Sequence, residues 1–348
     1  MAAGIATITL ARPDDWHVHL RDGAMLAKVL PFTARQFARA IVMPNLLPPV
    51  TSAAAARDYR ERILAALPEG ARFTPLMTCY LTDSTPPAEI ARGAAEGVFT
   101  AVKLYPANAT THSAHGVTDV ARVMPVLETM ATLGLPLLIH GEATDPDIDI
   151  FDREAVFIER TLDPLRRRLP ELRIVLEHIT TAEAAAYVAE GGPDLAATIT
   201  AHHLVINRNS ILAGGIRPHL YCLPIAKRER HRRALRRAAT GGHPGFFLGT
   251  DSAPHALPTK ETACGCAGIF TAPAALELYA EVFEEEGALD RFEAFAALNG
   301  PRFYRLRVNE SRATLRREPF AVPQRIGEGD GAVVPFRAGE SLRWRLAG

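Results

Sequence analysis

The segment Trp16-His17-Val18-His19-Leu20 places two histidines one residue apart inside a short apolar run. Side chains alternate between the two faces of an extended strand, so His17 and His19 point the same way and can reach one metal ion. A His-x-His pair also occurs on half-buried strands that bind nothing, so the interpretation depends on partners elsewhere in the chain. The run itself predicts a strand, and the chain contains seven more runs of this kind.

The eight apolar runs alternate with longer, alanine-rich stretches of helical character. Strands that alternate with helices are typical of repeated βα units around a parallel sheet. The runs cover residues 16–20, 40–44, 73–79, 100–104, 135–139, 173–177, 196–200 and 246–249. Helices are expected between them, for example over 53–67, 117–133, 182–191 and 227–240. This order predicts an α/β fold of the (β/α)8, or TIM, barrel type.

Polar side chains stand at or beside the ends of most of these runs. They are His17, His19, Asn45, Tyr80, Lys103, His140, His178, His202 and Asp251. In (β/α)8 barrels the carboxyl ends of the strands and the loops after them form the active site. Because most of these side chains can bind a metal or move a proton, we expect the active site at this end of the barrel.

We expect a single domain over residues 1–348, with a barrel core at about 12–299. An additional strand at 5–10 is expected to cover the bottom of the barrel, where the strands begin. After Asn299 the chain becomes irregular. Residues 300–348 are predicted as a C-terminal extension in which 332–336 and 341–346 alternate weakly as short strands.

The charge balance argues against a polyanionic partner. The chain has 39 basic and 39 acidic residues, so its formal net charge is zero and neither nucleic acid nor a membrane surface is expected to attract it. No signal peptide and no bilayer-length apolar run is present in the sequence, which predicts a cytoplasmic protein with a small-molecule substrate. Four cysteines in a chain of this length do not predict a disulfide framework.

Lys103 is one of only four lysines, and it lies in the apolar segment Ala101-Val102-Lys103-Leu104-Tyr105. An isolated ammonium there would be costly to bury. Two interpretations stay open: a lysine paired with a nearby acid, or an amine that carbon dioxide converts into a carboxylate able to bridge two metal ions. The six candidate metal ligands at corresponding strand ends are His17, His19, Lys103, His140, His178 and Asp251.

The order His-x-His, lysine, histidine, histidine and aspartate resembles the amidohydrolase superfamily. Longer segments resemble its dihydroorotase family, of the shorter single-function bacterial type. They are 14–21 (Asp-Asp-Trp-His-Val-His-Leu-Arg), 43–45 (Met-Pro-Asn), 103–106 (Lys-Leu-Tyr-Pro), 221–224 (Tyr-Cys-Leu-Pro), 249–255 (Gly-Thr-Asp-Ser-Ala-Pro-His) and 264–268 (Cys-Gly-Cys-Ala-Gly). The resemblance extends over nearly the whole chain.

The resemblance implies two zinc ions per subunit and a carbamate, N6-carboxylysine, formed from carbon dioxide on Lys103. One zinc would be bound by His17, His19, carboxylated Lys103 and Asp251, and the other by carboxylated Lys103, His140 and His178. Substrate contacts are implied for His19, Arg21, Asn45, His140, Leu223, His255 and Ala267. A mobile loop is implied over residues 107–111, with Thr110 and Thr111 closing over the substrate.

The activity implied by the resemblance is the reversible cyclisation of N-carbamoyl-L-aspartate to (S)-dihydroorotate plus water, a step of pyrimidine biosynthesis. A hydroxide that bridges the metals would attack the ring carbonyl, and Asp251 would carry the proton to the leaving nitrogen. A homodimer is also implied.

Two other functions compete with this one. A hydantoinase or allantoinase would use the same metal centre on another ring, but Arg21, Asn45 and His255 favour a substrate with a carboxylate, which plain hydantoins lack. A barrel that had lost catalysis could act as a binding or assembly protein, and the presence of all six ligand candidates argues against it. The histidines not expected to bind a metal are His112, His115, His202, His203, His219, His231 and His243.

Overall fold

The computed structural model describes residues 5–347 and contains the predicted barrel. Eight parallel strands, β2 to β9, are neighbours in chain order, and each overlaps one of the predicted runs. The strands of the protein are β1 (Thr7–Ala11), β2 (Asp14–Val18), β3 (Arg39–Val42), β4 (Thr74–Tyr80), β5 (Ala101–Leu104), β6 (Leu137–Ile139), β7 (Ile174–Leu176), β8 (Leu195–Ile199), β9 (Phe246–Leu248), β10 (Arg312–Arg316), β11 (Phe320–Ala321), β12 (Ser341–Leu342) and β13 (Arg345–Leu346). The (β/α)8 prediction is confirmed.

The barrel closes between β9 and β2, just beyond the ends of both strands. The backbone N–H of Asp251 donates to the carbonyl of His17 (2.9 Å), and that of His19 donates to the carbonyl of Ser252 (3.1 Å). These bonds continue the sheet around the barrel. They also bring the two histidines of the opening segment beside the aspartate that follows the last strand.

Helices surround the barrel as expected. Three of the four predicted helices agree with the structure within two residues at each end, and the fourth, predicted over 117–133, begins only at Met124. The α-helices are α1 (Gly23–Gln36), α2 (Ala53–Ala65), α3 (Pro87–Ala95), α4 (Met124–Leu133), α5 (Arg153–Phe157), α6 (Asp163–Arg168), α7 (Ala182–Ala189), α8 (Ala201–Val205), α9 (Arg208–Leu212), α10 (Glu229–Thr240), α11 (Leu257–Lys260), α12 (Ala275–Glu285) and α13 (Asn299–Tyr304). Two segments are π-helical. Ile158–Leu162 joins α5 to α6, and Ala294–Leu298 leads into α13. Within residues 5–347, no helix is long and apolar enough to span a bilayer.

The barrel interior is a closed apolar core, formed by Trp16, Ile41, Met43, Ala101, Leu138, Val175, Ala196, Phe247, Phe303 and Tyr304. The last two come from α13. Tyr304 stacks on Trp16 with ring centroids 4.2 Å apart. A side chain at Gly300 would place its Cβ 1.9 Å from the Trp16 indole nitrogen, so glycine permits this close approach.

The amino-terminal strand contributes no residue to this interior cluster, so α13 and not β1 fills the barrel beneath Trp16. Strand β1 is present as predicted, but it pairs antiparallel with β10, and β10 pairs with β13. The extension and the amino terminus therefore share one three-stranded sheet. Helix α13 crosses the predicted boundary between the barrel core and the C-terminal extension, which was placed between residues 299 and 300.

The segment 341–346 contains β12 and β13, as predicted. The strand prediction for 332–336 was wrong. That segment makes only isolated bridges, from Val333 to Ile326 and from Pro335 to Phe270. Because these two bridges lead to different parts of the chain, no continuous ladder forms.

Candidate metal centre and active site

Three predicted metal ligands converge where β2 meets the end of β9. The Nε2 atoms of His17 and His19 are 3.2 Å apart, and they lie 3.3 and 3.1 Å from Asp251 Oδ1. Nitrogen and oxygen ligands about 2.0–2.1 Å from a tetrahedral zinc ion are separated from each other by about 3.4 Å. All three side chains are buried. Their spacing therefore fits a shared metal ion.

The other ring nitrogen of each histidine is held by a neighbouring side chain. His19 Nδ1 lies 2.9 Å from Asn45 Oδ1, and His17 Nδ1 lies 2.9 Å from Glu177 Oε1. Contacts of this kind fix the tautomer and the ring orientation of a metal-binding histidine. The Nδ1 of His19 is the donor in this arrangement, so its Nε2 keeps a lone pair that can face an ion. His17 lies between two carboxylates, so its Nε2 offers a lone pair only once the ring has lost the proton that they stabilise.

Charges within this cluster are strongly coupled. Burial opposes the protonation of His17, but the carboxylates of Glu177 and Asp251 outweigh it and raise the pKa of His17 to about 9. Burial lowers the pKa of His19 to about 4. Burial also opposes ionisation of Asp251, yet the adjacent histidines hold the pKa of Asp251 well below its usual range. The aspartate is thus a carboxylate, which can bind a cation or accept a proton.

Lys103 is paired with an acid. Its Nζ donates to Glu177 Oε2, and both side chains are fully buried. The same glutamate contacts His17, so one carboxylate joins the lysine to the first ligand cluster. Burial lowers the pKa of Lys103, although Glu177 opposes this shift. The unmodified amine of Lys103 therefore has a buried counterion, and its conversion into a carbamate stays a prediction.

The two remaining candidate ligands lie beside this pair. The rings of His140 and His178 have centroids 4.9 Å apart. His140 Nε2 lies 2.7 Å from Glu142 Oε2, which leaves Nδ1 as its free ring atom. His178 Nδ1 is buried and has no hydrogen-bond partner within the described residues. A second ion would therefore find donor atoms on His140 and His178, with Lys103 still occupied by its acid.

Sequence reasoning missed Glu177 and Glu142 as parts of the site. Both are buried acids next to predicted ligands, and an acid inside or directly after an apolar strand is the signal that could have found them. Strict alternation would have placed Glu177 on the face opposite to His178. His178 has a φ of 42°, which ends the alternation and lets both side chains approach His17.

The strand ends and loops enclose a small cavity. It is lined by His17, His19, Arg21, Asn45, Tyr105, Thr110, Thr111, His140, His178, Leu223, Asp251, Ala253, Ala267 and Gly268. The lining includes every predicted site residue except Lys103, which lies behind the wall against Glu177, and His255, which lies beside Arg21. Three residues line the cavity in addition to the predicted ones: Tyr105, Ala253 and Gly268.

Arg21 and His255 form one side of the cavity. An η nitrogen of Arg21 and the carbonyl of Ala267 lie 3.1 and 2.9 Å from His255 Nε2. Burial, followed by the charge of Arg21, lowers the pKa of His255 to about 2, so the ring is neutral. A neutral Nε2 cannot accept from the guanidinium and donate to the carbonyl at once. When Nε2 donates to the carbonyl of Ala267, the η nitrogen of Arg21 is left available to an anionic ligand.

The loop with the paired threonines lies across the cavity. Thr111 Oγ1 donates to the carbonyl of Ala267 (3.3 Å), and Asn45 Nδ2 donates to the carbonyl of Thr111 (3.2 Å). His112 Nδ1 also contacts the Asn45 backbone at 3.2 Å. The loop is thus attached to residues from two sides of the cavity, which is the position expected of a lid.

A separate cluster of His202, His203 and Cys222 is buried nearby. His203 uses both ring nitrogens, with Thr200 Oγ1 at 2.8 Å and the carbonyl of Pro224 at 2.9 Å. It therefore has no lone pair free for a metal, whereas neither ring nitrogen of the buried His202 has a hydrogen-bond partner within the described residues. That these histidines do not bind a metal stays a prediction. The contact of His203 with Pro224 supports the backbone next to Leu223.

Comparisons with known proteins agree with this geometry. The model of the amidohydrolase family matches residues 5–310. A dihydroorotase of Sphingopyxis alaskensis is 68% identical over 339 residues, which are 97% of this chain and 98% of that protein. Among solved structures, dihydroorotase from Saccharomyces cerevisiae in complex with 5-fluoroorotic acid is 34% identical, with a TM-score of 0.91 and 99% of each chain covered. Dihydroorotase from Campylobacter jejuni is 36% identical, with the same TM-score of 0.91 and coverage of 99% of each chain.

Proposed function

Since the chain belongs to the amidohydrolase family and, within it, to the dihydroorotases, we propose that it interconverts N-carbamoyl-L-aspartate and (S)-dihydroorotate plus water in pyrimidine biosynthesis. The observation that carries this proposal is the convergence of His17, His19 and Asp251 at the wall of a cavity whose other side presents Arg21. A cyclic amide with a carboxylate needs both features, one for the reacting bond and one for the anion.

We propose that two zinc ions complete the site. His17, His19 and Asp251 would hold the first, and His140 and His178 the second, with Lys103 between them once carbon dioxide has converted its amine into a carbamate. The spacing of His17, His19 and Asp251 supports the first assignment, and the unpartnered Nδ1 of His178 supports the second. When bound, such ions lower the pKa of water and polarise a carbonyl.

Asp251 is the proposed catalytic residue. In the hydrolytic direction its carboxylate accepts a proton from the attacking water and returns it to the ring nitrogen as the amide bond breaks. In the cyclisation direction it takes the proton from the carbamoyl nitrogen that attacks the side-chain carboxylate. The low pKa of Asp251 keeps it ionised, so it can act first as the base.

The remaining residues are proposed to bind and orient the substrate. The planar fork of Arg21 can donate two parallel hydrogen bonds to the substrate carboxylate, with help from Asn45 and His255. His19, His140 and the backbone at Leu223 and Ala267 face the same cavity and would contact the ring. A solved relative that holds 5-fluoroorotic acid supports a substrate of this shape. Thr110 and Thr111 would cover it.

Purified, zinc-loaded protein should consume dihydroorotate and should leave hydantoin and allantoin unchanged. The consumption of dihydroorotate is measured as the loss of ultraviolet absorption by this substrate. Turnover of hydantoin or allantoin alone would keep the metal chemistry and overturn the substrate. No turnover by protein that holds two metals per subunit would favour a barrel that has lost catalysis.

The carbamate on Lys103 needs its own test. Protein loaded with zinc in carbon-13 bicarbonate should give a carbamate carbon signal, and that signal should be absent from a Lys103→Met variant. An active, metal-loaded enzyme without this signal would show that Lys103 stays an amine. The homodimer and the cytoplasmic location stay predictions.

A further inference from the structure

A second cavity lies at the end of the barrel opposite to the proposed active site. It encloses about 500 Å³ and lies where the chain enters β7, β8 and β9. This volume is within the range of small-molecule sites, roughly 300–1,000 Å³. The residues that line it include Arg173, Asp194, Leu195, Arg302, Phe303 and Arg305.

Positive charge dominates this cavity. Arg173, Arg302 and Arg305 line it, and Asp194 is the only acid among the lining residues. Arg173 is only 6% exposed, and its Nε is 4.0 Å from Asp194 Oδ1, too far for a hydrogen bond. Among residues 5–347, no acid lies within 4.0 Å of the guanidinium nitrogens of Arg302 or Arg305.

The buried arginine Arg173 is held in place mainly by neutral groups and is only partly neutralised by Asp194. Its guanidinium lies over the ring of Phe303, 4.7 Å from the centroid, and donates to the carbonyl of Gly134 at 3.3 Å. Burial, followed by the charge of Arg305, lowers the pKa of Arg173. A buried cation that faces a second cation is unfavourable unless an anion joins them.

We propose that this cavity binds a phosphate dianion, either free or as the phosphomonoester of a small metabolite. Three guanidinium groups and one carboxylate leave two net positive charges, which match a dianion. Guanidinium forks suit the tetrahedral oxygens of phosphate. The apolar walls at Leu195 and Phe303 leave room for an organic group on the ester.

The test is isothermal titration calorimetry of the zinc-loaded protein with inorganic phosphate and with glycerol 3-phosphate at constant ionic strength. The variant Arg302→Gln/Arg305→Gln keeps the buried arginine, and both of its changed side chains are exposed, so the fold should survive. Arg60→Gln, on the outer helix α2, is the control variant, because it removes a surface arginine away from the cavity. Turnover of all variants should equal that of the unmodified protein, because the cavity is remote from the cluster of His17 and Asp251.

We expect binding to the unmodified protein and to Arg60→Gln, and affinity at least tenfold weaker in the double variant. Tighter binding of glycerol 3-phosphate would identify a phosphorylated metabolite as the ligand, and equal binding would identify free phosphate. Absence of binding, or binding that the double variant retains in full, would overturn the proposal. The retained signal would then come from the active-site end, and a dihydroorotate analogue should displace it.

Discussion

The buried pair of Lys103 and Glu177 makes a sharp prediction about the metal-free protein. Glu177→Gln removes the charge of the acid and leaves the Lys103 ammonium fully buried without a counterion. Breaking a buried pair from one side costs about 3–5 kcal/mol of unfolding free energy. The variant Lys103→Met/Glu177→Gln has no such orphaned cation. Since methionine fills a similar unbranched space, the double variant should be more stable than Glu177→Gln by about 2 kcal/mol.

Urea unfolding of chelator-treated protein in bicarbonate-free buffer, followed by circular dichroism, measures these differences. Glu277→Gln is the matched control, because Glu277 is a buried acid whose nearest cation, Arg35, lies 3.7 Å away and is 43% exposed. Glu277→Gln should lower the free energy of unfolding by less than Glu177→Gln does. Its loss should also add to the loss caused by Lys103→Met. Additive losses for Lys103→Met and Glu177→Gln would refute the pairing, and with it the view that carbon dioxide must displace Glu177 from the amine.

Three further predictions concern catalysis. Asp251→Asn should lower kcat by about 10²–10⁴-fold in the dihydroorotate assay because the proton carrier is lost, and a variant with most of its rate would contradict that role. Arg21→Lys should raise KM about tenfold with unchanged zinc content by atomic absorption; unchanged kinetics would remove Arg21 from the site. Thr111→Val should raise KM up to about tenfold by deleting the 3.3 Å bond to Ala267, whereas an unchanged KM would show that this contact does not hold the lid.

Much of the barrel was predictable because its strands are short apolar runs that end in polar residues. Parallel strands lie side by side at the same level, so residues at corresponding ends must meet whatever helices separate them in sequence. That geometry brought His17, His19 and Asp251 together from opposite ends of the barrel sequence. Choosing these three residues as candidate ligands needed no knowledge of packing.

The structure at the bottom of the barrel was less predictable. The stacking of Tyr304 on Trp16 depends on a glycine at 300, and nothing in the local pattern of a six-residue helix indicates which apolar face it covers. The amino-terminal strand has the right length to lie there, but β10 offers it an antiparallel partner over five residues. Pairing between segments about 300 residues apart is invisible to periodicity.

Strained backbone explains why the side chains of the site point where they do. Arg21, His178 and Asp251 have φ angles of 60°, 42° and 43°, and each follows a barrel strand. Such conformations cost about 1–3 kcal/mol each. Hydrogen bonds of similar worth hold two of them: Tyr59 donates its hydroxyl to the carbonyl of Arg21 (2.6 Å), and Thr198 Oγ1 accepts from the N–H of His178 (2.7 Å). A regular strand would turn every second side chain away from the cavity, so the left-handed turns let consecutive residues serve one site, and the bonds from Tyr59 and Thr198 make those turns tolerable.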